Sequence, residues 1–249
     1  DNDWTMTGNM VATRQYHTLS VLPDGTALAV GGYYYESGEH YLNSSEIYTP
    51  LTNTWAATHG SMTTARRNHT ASVLLDGRVL VAGGENGTGT TNSAEIFDPA
   101  TGLWTTTGSM NQPRYRHTAT RLQDGRVLVV GGCYAMTVTS CTIVTEIFDP
   151  ASGAWEVGPN LPSGQGRMNH TATLLQDGSV LVAGGYAPKI SDSNLAKSFK
   201  NAYRYVPGGN SWSPAGTMSA TAAPRGRSQH NAVLRRDGKV LFVGGYYFY

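Results

Sequence analysis

Five histidines recur in one setting: His17, His69, His117, His170 and His230, each preceded three residues earlier by an arginine, Arg14, Arg66, Arg114, Arg167 and Arg227. Imidazoles are common metal ligands. Ligands that converge on one ion rarely come from every copy of a wide repeat, so no metal is expected. Each histidine reads instead as hydrogen-bonded within its own repeat. The arginines have two readings. They could form a cationic ring that holds a carboxylate, sulfate or phosphate through bidentate bonds. Alternatively, each pairs with a repeat acid, Glu46, Glu95 or Glu146. Tyr203 stands at the acid's place in the fourth copy, which leaves Arg167 or Arg227 as a candidate free donor.

Other groups depart from the repeat. Tyr33, Tyr34, Tyr35, Glu36, Glu39, His40 and Tyr41 crowd one segment, combining flat rings suited to stacking on sugars or peptide side chains with acid and imidazole. The longest irregular stretch runs from Tyr186 to Asn201 with Lys189, Lys197, Lys200 and Asp192, a candidate flap. Cys133 and Cys141, the only cysteines, flank one loop. A disulfide between them would suit an oxidising compartment; the other reading is two unlinked thiols.

The elements that must position these groups emerge from self-similarity. RQYHTLSVLPDGTALAVGG from Arg14 returns as RNHTASVLLDGRVLVAGG around His69, then from Arg114, Arg167 and Arg227. The glycine pairs begin at Gly31, Gly83, Gly131, Gly184 and Gly244, a period of about 50 residues. Each copy reads as four short strands, a to d. In the second, strand a spans 69–75 and ends at Asp76-Gly77, a pair suited to a type I′ hairpin turn. Strand b, Val79–Ala82, is apolar without alternation and must be covered on both faces. Strand c is Ala94–Phe97, and strand d carries Trp104. Trp4, Trp55, Trp104, Trp155 and Trp212 recur once per copy and read as buried wedge fillers.

The double glycine, the AEIFDPATGLW-type segment and the RxxHTA…DGRVLVAGG spelling resemble the kelch repeat, as in bacterial kelch proteins and the propeller of galactose oxidase. The resemblance implies an all-β kelch-type β-propeller over 1–249 as a single domain, five blades of four antiparallel strands. The last blade would be closed by the N-terminal strand at Asp3-Trp4-Thr5. The final copy stops just past its glycine pair: either 246–249 is an abbreviated strand c, or further residues belong there. A first residue of Asp fits a processed chain.

A charge of +1 gives no field for nucleic acid, and no apolar run is long enough to span a bilayer. In an up-and-down blade the long, irregular connections, b–c and d–a, share one end, where function on loops would lie. The expected function is an extracellular or periplasmic module that binds a protein or glycan there, around a central pore. It would need no cofactor and no catalytic residue, with Arg14, Arg66, Arg114, Arg167, Arg227, Tyr33, Tyr34, Tyr35, His40 and Tyr186 as ligand contacts. The alternatives are an enzyme of the galactose-oxidase-like or sugar-acid-modifying kind, with Glu36, His40, Arg167 and Arg227 in the pore mouth, or a fragment of a larger extracellular protein. The galactose oxidase resemblance implies copper held by His and Tyr with a Cys–Tyr crosslink, for which both cysteines are better explained as partners of each other. No nucleophile elbow or phosphate loop occurs.

Overall fold

In the computed structural model the described residues are 5–135, 140–188, 197–218 and 226–246. The N-terminal strand at Trp4, the end of the chain at 247–249, and Lys189 and Asp192 of the expected flap lie outside them. The chain divides into two compact units, Asp1–Thr107 and Gly108–Tyr249.

In the first unit, the first copy forms strands Thr18–Val21, Ala27–Val30, Ser45–Thr49 and Thr54–Ala57, and the second forms Thr70–Val73, Val79–Ala82, Ala94–Asp98 and Leu103–Thr106. In the second unit, the third copy forms Thr118–Arg121, Val127–Val130, Glu146–Asp149 and Ala154–Val157, and the fourth Thr171–Leu174, Val180–Ala183, Asn201–Val206 and Ser211–Thr217. All four are antiparallel sheets in the order a-b-c-d. The fifth copy has two strands among the described residues, Asn231–Leu234 and Val240–Val243. Tyr246 makes an isolated bridge with Ser228, and the remainder of the 246–249 segment read as an abbreviated strand c lies outside the described residues.

The a–b turns differ in type from the expectation. Leu74 N–H bonds to Arg78 O at 2.8 Å, Gly77 N–H to Leu74 O at 3.2 Å, and only Gly77 has positive φ, +87°. That is a type I turn closed by a left-handed glycine, which gives a three-residue loop rather than type I′. Asp76 is kept because its Oδ1 accepts the Arg78 amide at 3.0 Å.

Strand b is buried on both faces, as its unbroken apolar run requires. In the first unit Leu28 and Val30 from one sheet meet Met62, Val79, Val81 and Phe97 from the next. In the second, Leu128, Val130 and Ile147 meet Val180, Val182 and Tyr205. Each such side chain contributes about 1.5–3 kcal/mol by leaving water. Trp55, Trp104, Trp155 and Trp212 are half-buried rather than enclosed. Trp104 tilts against Phe97 of its own sheet at 5.2 Å and donates its Nε1–H to Ser45 Oγ of the preceding copy at 3.0 Å.

The glycine pair has a steric cause. Gly31 sits at φ +60°, where a Cβ would lie 2.6 Å from Arg66 O and 2.9 Å from His69 Cε1. Its neighbour, Gly32, donates its N–H to Arg66 O at 2.8 Å. Successive copies are thus joined backbone to backbone where only glycine fits.

Candidate functional site

The four-stranded order puts the b–c and d–a connections at one end of each sheet. At that end the residue after each repeat arginine bridges the residue after the glycine pair: Gln15 with Tyr33, Arg67 with Glu85, Tyr115 with Cys133, Met168 with Tyr186 and Ser228 with Tyr246.

The repeat arginines lie just behind these bridges and face inward. Arg14, Arg66 and Arg114 bond Glu46, Glu95 and Glu146 of their own copies at 2.6, 2.9 and 2.5 Å, with no exposed guanidinium surface. Each Nη1 also donates to the first glycine of its pair, at 2.8 Å to Gly31, Gly83 and Gly131. The acids are saturated too: Glu146 accepts the Asn111 and Gln112 amides at 2.6 and 3.2 Å. At Glu46 burial opposes ionisation, but hydrogen bonds from Arg14, Val11 and Ala12 outweigh it and hold the carboxyl below its usual value.

Arg167 is equally buried but has no carboxylate partner among the described residues; Gln165 Oε1, Gly184 O and Asn201 O accept from it, and it lies 4.3 Å from the Phe199 ring. Burial brings it down to about 10, so it remains charged. These four arginines therefore leave the expected ligand-binding ring, because their guanidiniums are buried in the scaffold with Nη1 and Nη2 bonded there. Arg227 differs: it is half-buried, and its Nη1 reaches Gly244 O at 3.3 Å.

The histidines are scaffold of another kind than expected. Their bonds run between copies rather than within one. His69 Nε2 meets Thr18 Oγ1 at 2.9 Å, His170 meets Thr118 at 2.8 Å, and His230 meets Thr171 at 2.9 Å. Nδ1 is buried without a hydrogen-bond partner in each. A lone pair is cheaper to strand than an N–H, which favours the Nε2–H tautomer donating to threonine. Burial, then the adjacent arginine, lowers His69 and His170 to about 3.

The tyrosine-rich segment is a hairpin, Tyr33–Tyr35 with Glu39–Tyr41. Ser37 and Gly38 turn it, and Gln15 anchors its base through a pair of backbone bonds, Gln15 N–H to Tyr33 O at 2.8 Å and Tyr33 N–H to Gln15 O at 2.9 Å. Alternation gives it two faces. On one, Arg67 lies over Tyr33 at 4.3 Å and Tyr41 at 4.9 Å, contacts Glu39 and Glu85 at 3.4 and 3.2 Å, and Tyr16 stacks on Tyr33 at 5.8 Å. Burial of Arg67 is outweighed by Glu85, Tyr41 and Glu39, which raise its pKa. The other face carries Tyr34 stacked on His40 at 4.7 Å and 11°. His40 Nε2 lies 3.0 Å from Glu36 O, and beside the turn Tyr35 is 73% exposed.

Tyr186, in contrast, is buried in a cluster with Tyr115, Met168 and Cys133. Its hydroxyl lies 3.5 Å from Arg116 Nη1. Cys133 and Cys141 form a disulfide.

Sequence reasoning missed Arg67, whose only signal was its place in a variable slot beside an invariant arginine. It also missed the left-handed residue before each repeat histidine, Tyr16, Asn68, Arg116, Asn169 and Gln229, with φ of 52–55°. Only the two asparagines hinted at it.

The donor set does not fit a copper–radical centre. Both cysteines are used in the disulfide, and among the described residues no three His, Cys, Asp or Glu side chains are grouped to hold a metal.

Comparison with known proteins gives a family model, KLHDC2/KLHL20/DRC7 Kelch-repeats domain, that matches residues 2–185. No curated protein sequence matches the chain. Among solved structures, "Structure of YjhT" is similar with a TM-score of 0.79 and 18% identity, over 99% of this chain and 82% of that one. A fungal alcohol oxidase of the AA5 family, described as having catalytic diversity and solved in complex with copper, gives a TM-score of 0.76 and 18% identity. The alignment spans 97% of this chain but 51% of the oxidase.

Proposed function

The chain belongs to the kelch-repeat family, with that family's all-β propeller fold, and on that premise we propose that it is a binding module without catalytic activity. Its ligand, a protein or a glycan, is engaged by the hairpin at Tyr33–Tyr35 and Glu39–Tyr41. The observation that carries this reading is the division of labour between the hairpin's faces. One face locks the hairpin to Arg67 through Tyr33 and Tyr41, while the stacked Tyr34–His40 pair lies on the other, and Tyr35, on the first face beside the turn, stays exposed. Rings held rigid in this way offer contact area at small entropic cost.

The disulfide supports placement outside the cytosol. Scaffold demands set what all copies share; the second and fourth copies carry shorter hairpins in the same connection, Glu85–Asn86 with Gly89–Thr90 and Tyr186–Ala187 with Lys197–Ser198, whereas the run of tyrosines is peculiar to the first copy's hairpin, as expected of a specificity element. The fold by itself is neutral on activity, since one architecture hosts binders and enzymes. A pull-down and a glycan array with the whole chain test the proposal. Tyr34→Ala and Tyr35→Ala should abolish capture while leaving the melting temperature unchanged. Capture that survives both substitutions would refute the assignment.

A further inference from the structure

The tyrosine hairpin already holds one side chain of its own protein, and that side chain is a cation. Arg67 lies 4.3 Å over Tyr33 and 4.9 Å over Tyr41, with Glu85 Oε1 at 3.2 Å and Glu39 Oε1 at 3.4 Å. Two ring faces and two carboxylates thus grip a guanidinium, a planar cation that can stack on aromatic rings and fork to carboxylates at once.

The same face continues past that arginine. Tyr33 pairs with Tyr41 in the hairpin register and Tyr35 with Glu39, so these four side chains share a face, and Tyr35 stands about 7 Å further along it. Tyr35 is 73% exposed, and among the described residues no ring or cation lies against it. Opposite it, the Glu39 side chain is 49% exposed. At the turn Glu36 is exposed, and its carboxylate has no partner among the described residues. This second rung repeats the first in composition, a tyrosine ring flanked by carboxylates, without an internal cation.

The charge balance points the same way. Residues 5–107 carry eight acidic residues against four arginines and no lysine. Arg14 and Arg66 pair with Glu46 and Glu95 inside the sheets, and Arg78 pairs with Asp76 in an a–b turn at the opposite end. That leaves Arg67 as the one arginine set against Glu36, Glu39 and Glu85 at the hairpin end. Residual negative charge beside an exposed ring favours a cationic ligand over a neutral sugar.

Resting on the hairpin assignment above, we propose that the ligand is a basic segment of a partner protein, one of whose arginine side chains lies over Tyr35 between Glu36 and Glu39. It continues the row that Arg67 begins. Glu39, which contacts Arg67 and lies opposite Tyr35, offsets the repulsion between the two guanidiniums. Arginine is preferred to lysine because only the guanidinium both stacks and forks.

The probes are fluorescein-labelled, capped peptides that carry two arginines, two lysines or two glutamates in a Gly/Ser background, titrated with the whole chain by anisotropy at low and high salt. The arginine peptide should bind saturably and more tightly than the lysine peptide, and the glutamate peptide should not bind. Tyr35→Ala and Glu36→Gln should each weaken the arginine peptide about threefold to fivefold at unchanged melting temperature, while Tyr35→Phe, which keeps the ring, should bind it as the native chain does. Absence of binding, equal affinity for arginine and lysine, or binding that Tyr35→Ala leaves intact would overturn the proposal in favour of no site or of general charge attraction. Residues 108–249 carry fourteen lysines and arginines against seven acidic residues, so a concentration-dependent dimer that excludes the peptide would overturn it in favour of a second copy as occupant. Glycan capture that is lost in Tyr34→Ala yet indifferent to salt and to Glu36→Gln would sink the cationic reading and leave the hairpin assignment standing. Capture that survives both Tyr34→Ala and Tyr35→Ala would sink the assignment itself.

Discussion

Acidification should destabilise this protein well above the range in which its carboxylates protonate, through His69 and His170. Both imidazoles are held at about 3 by burial and by the neighbouring Arg66 and Arg167, against an ordinary value of 6.5. The folded state therefore binds fewer protons than the unfolded state between those limits. Stability is complete above pH 6.5 and is lost as pH falls towards 3. At pH 5 each histidine lies about 1.5 pH units below its ordinary pKa, which costs roughly 2 kcal/mol, or about 4 kcal/mol for the two. His17 and His230 are lowered by the same causes and add in the same direction. Urea unfolding followed by tryptophan fluorescence at pH 7.5, 6 and 5 measures the loss while Glu46, held below its usual value, stays ionised. His69→Gln and His170→Gln keep a side-chain donor for Thr18 and Thr118 but cannot titrate. Each should remove about 2 kcal/mol of the pH-dependent loss, whatever it does to stability at pH 7.5. A midpoint that does not move between pH 7.5 and 5, or a loss over that range that neither substitution reduces, would refute the reasoning.

The buried ion pairs make a second prediction: Glu146→Ala should cost about 3–5 kcal/mol in urea unfolding by stranding the Arg114 charge, while Arg167→Met, which strands no anion, should cost less than half as much. Reducing the Cys133–Cys141 disulfide, or replacing both residues by serine, should lower stability by about 2.5 kcal/mol in paired melts with and without reductant. Gly31→Ala should abolish soluble expression because its Cβ would meet Arg66 O at 2.6 Å. Gly77→Ala, whose Cβ would meet the Pro23 ring at 3.3 Å or more, should remain folded at a cost of about 1–2 kcal/mol by denaturant titration.

The scaffold was legible because its constraints are local. Apolar runs such as Val79–Ala82 announce strands covered on both faces, and Asp-Gly announces each hairpin, although the turn type needed φ at Asp76 to settle. Partner choice was less legible because it depends on which copy a side chain faces. The repeat histidine sits within a few residues of its own strand a, yet it reaches the threonine of the copy before it, and nothing in a periodic sequence separates those options. The arginines show the converse. The count of three acids against five arginines offered Arg167 or Arg227 as a candidate free donor, but could not foresee that amide oxygens and the Phe199 ring would enclose Arg167. Tyr186 looked like an outward aromatic from composition alone and is buried, because the disulfide and Met168 close around it.

What the repeat conserves and what it frees follow from one backbone device. The residue before each histidine is left-handed, and this lets Asn68 N–H reach Tyr16 O at 3.1 Å in one unit, and Asn169 reach Arg116 and Gln229 reach Asn169 in the other. The flanking bridges, from Gln15–Tyr33 to Ser228–Tyr246, are likewise made by main-chain atoms. Positions held by their own amides and carbonyls place no demand on the side chain, so Tyr, Asn, Arg and Gln can occupy one slot, and Tyr, Glu and Cys the other. Tyrosine at position 16 still costs about 1–2 kcal/mol relative to glycine in that conformation. A residue retained against such a cost serves something other than folding, and Tyr16 stacks on the hairpin assigned to ligand binding. Tyr16→Gly should therefore raise stability in urea unfolding and weaken capture. A variant that loses stability without losing capture would place Tyr16 in the scaffold.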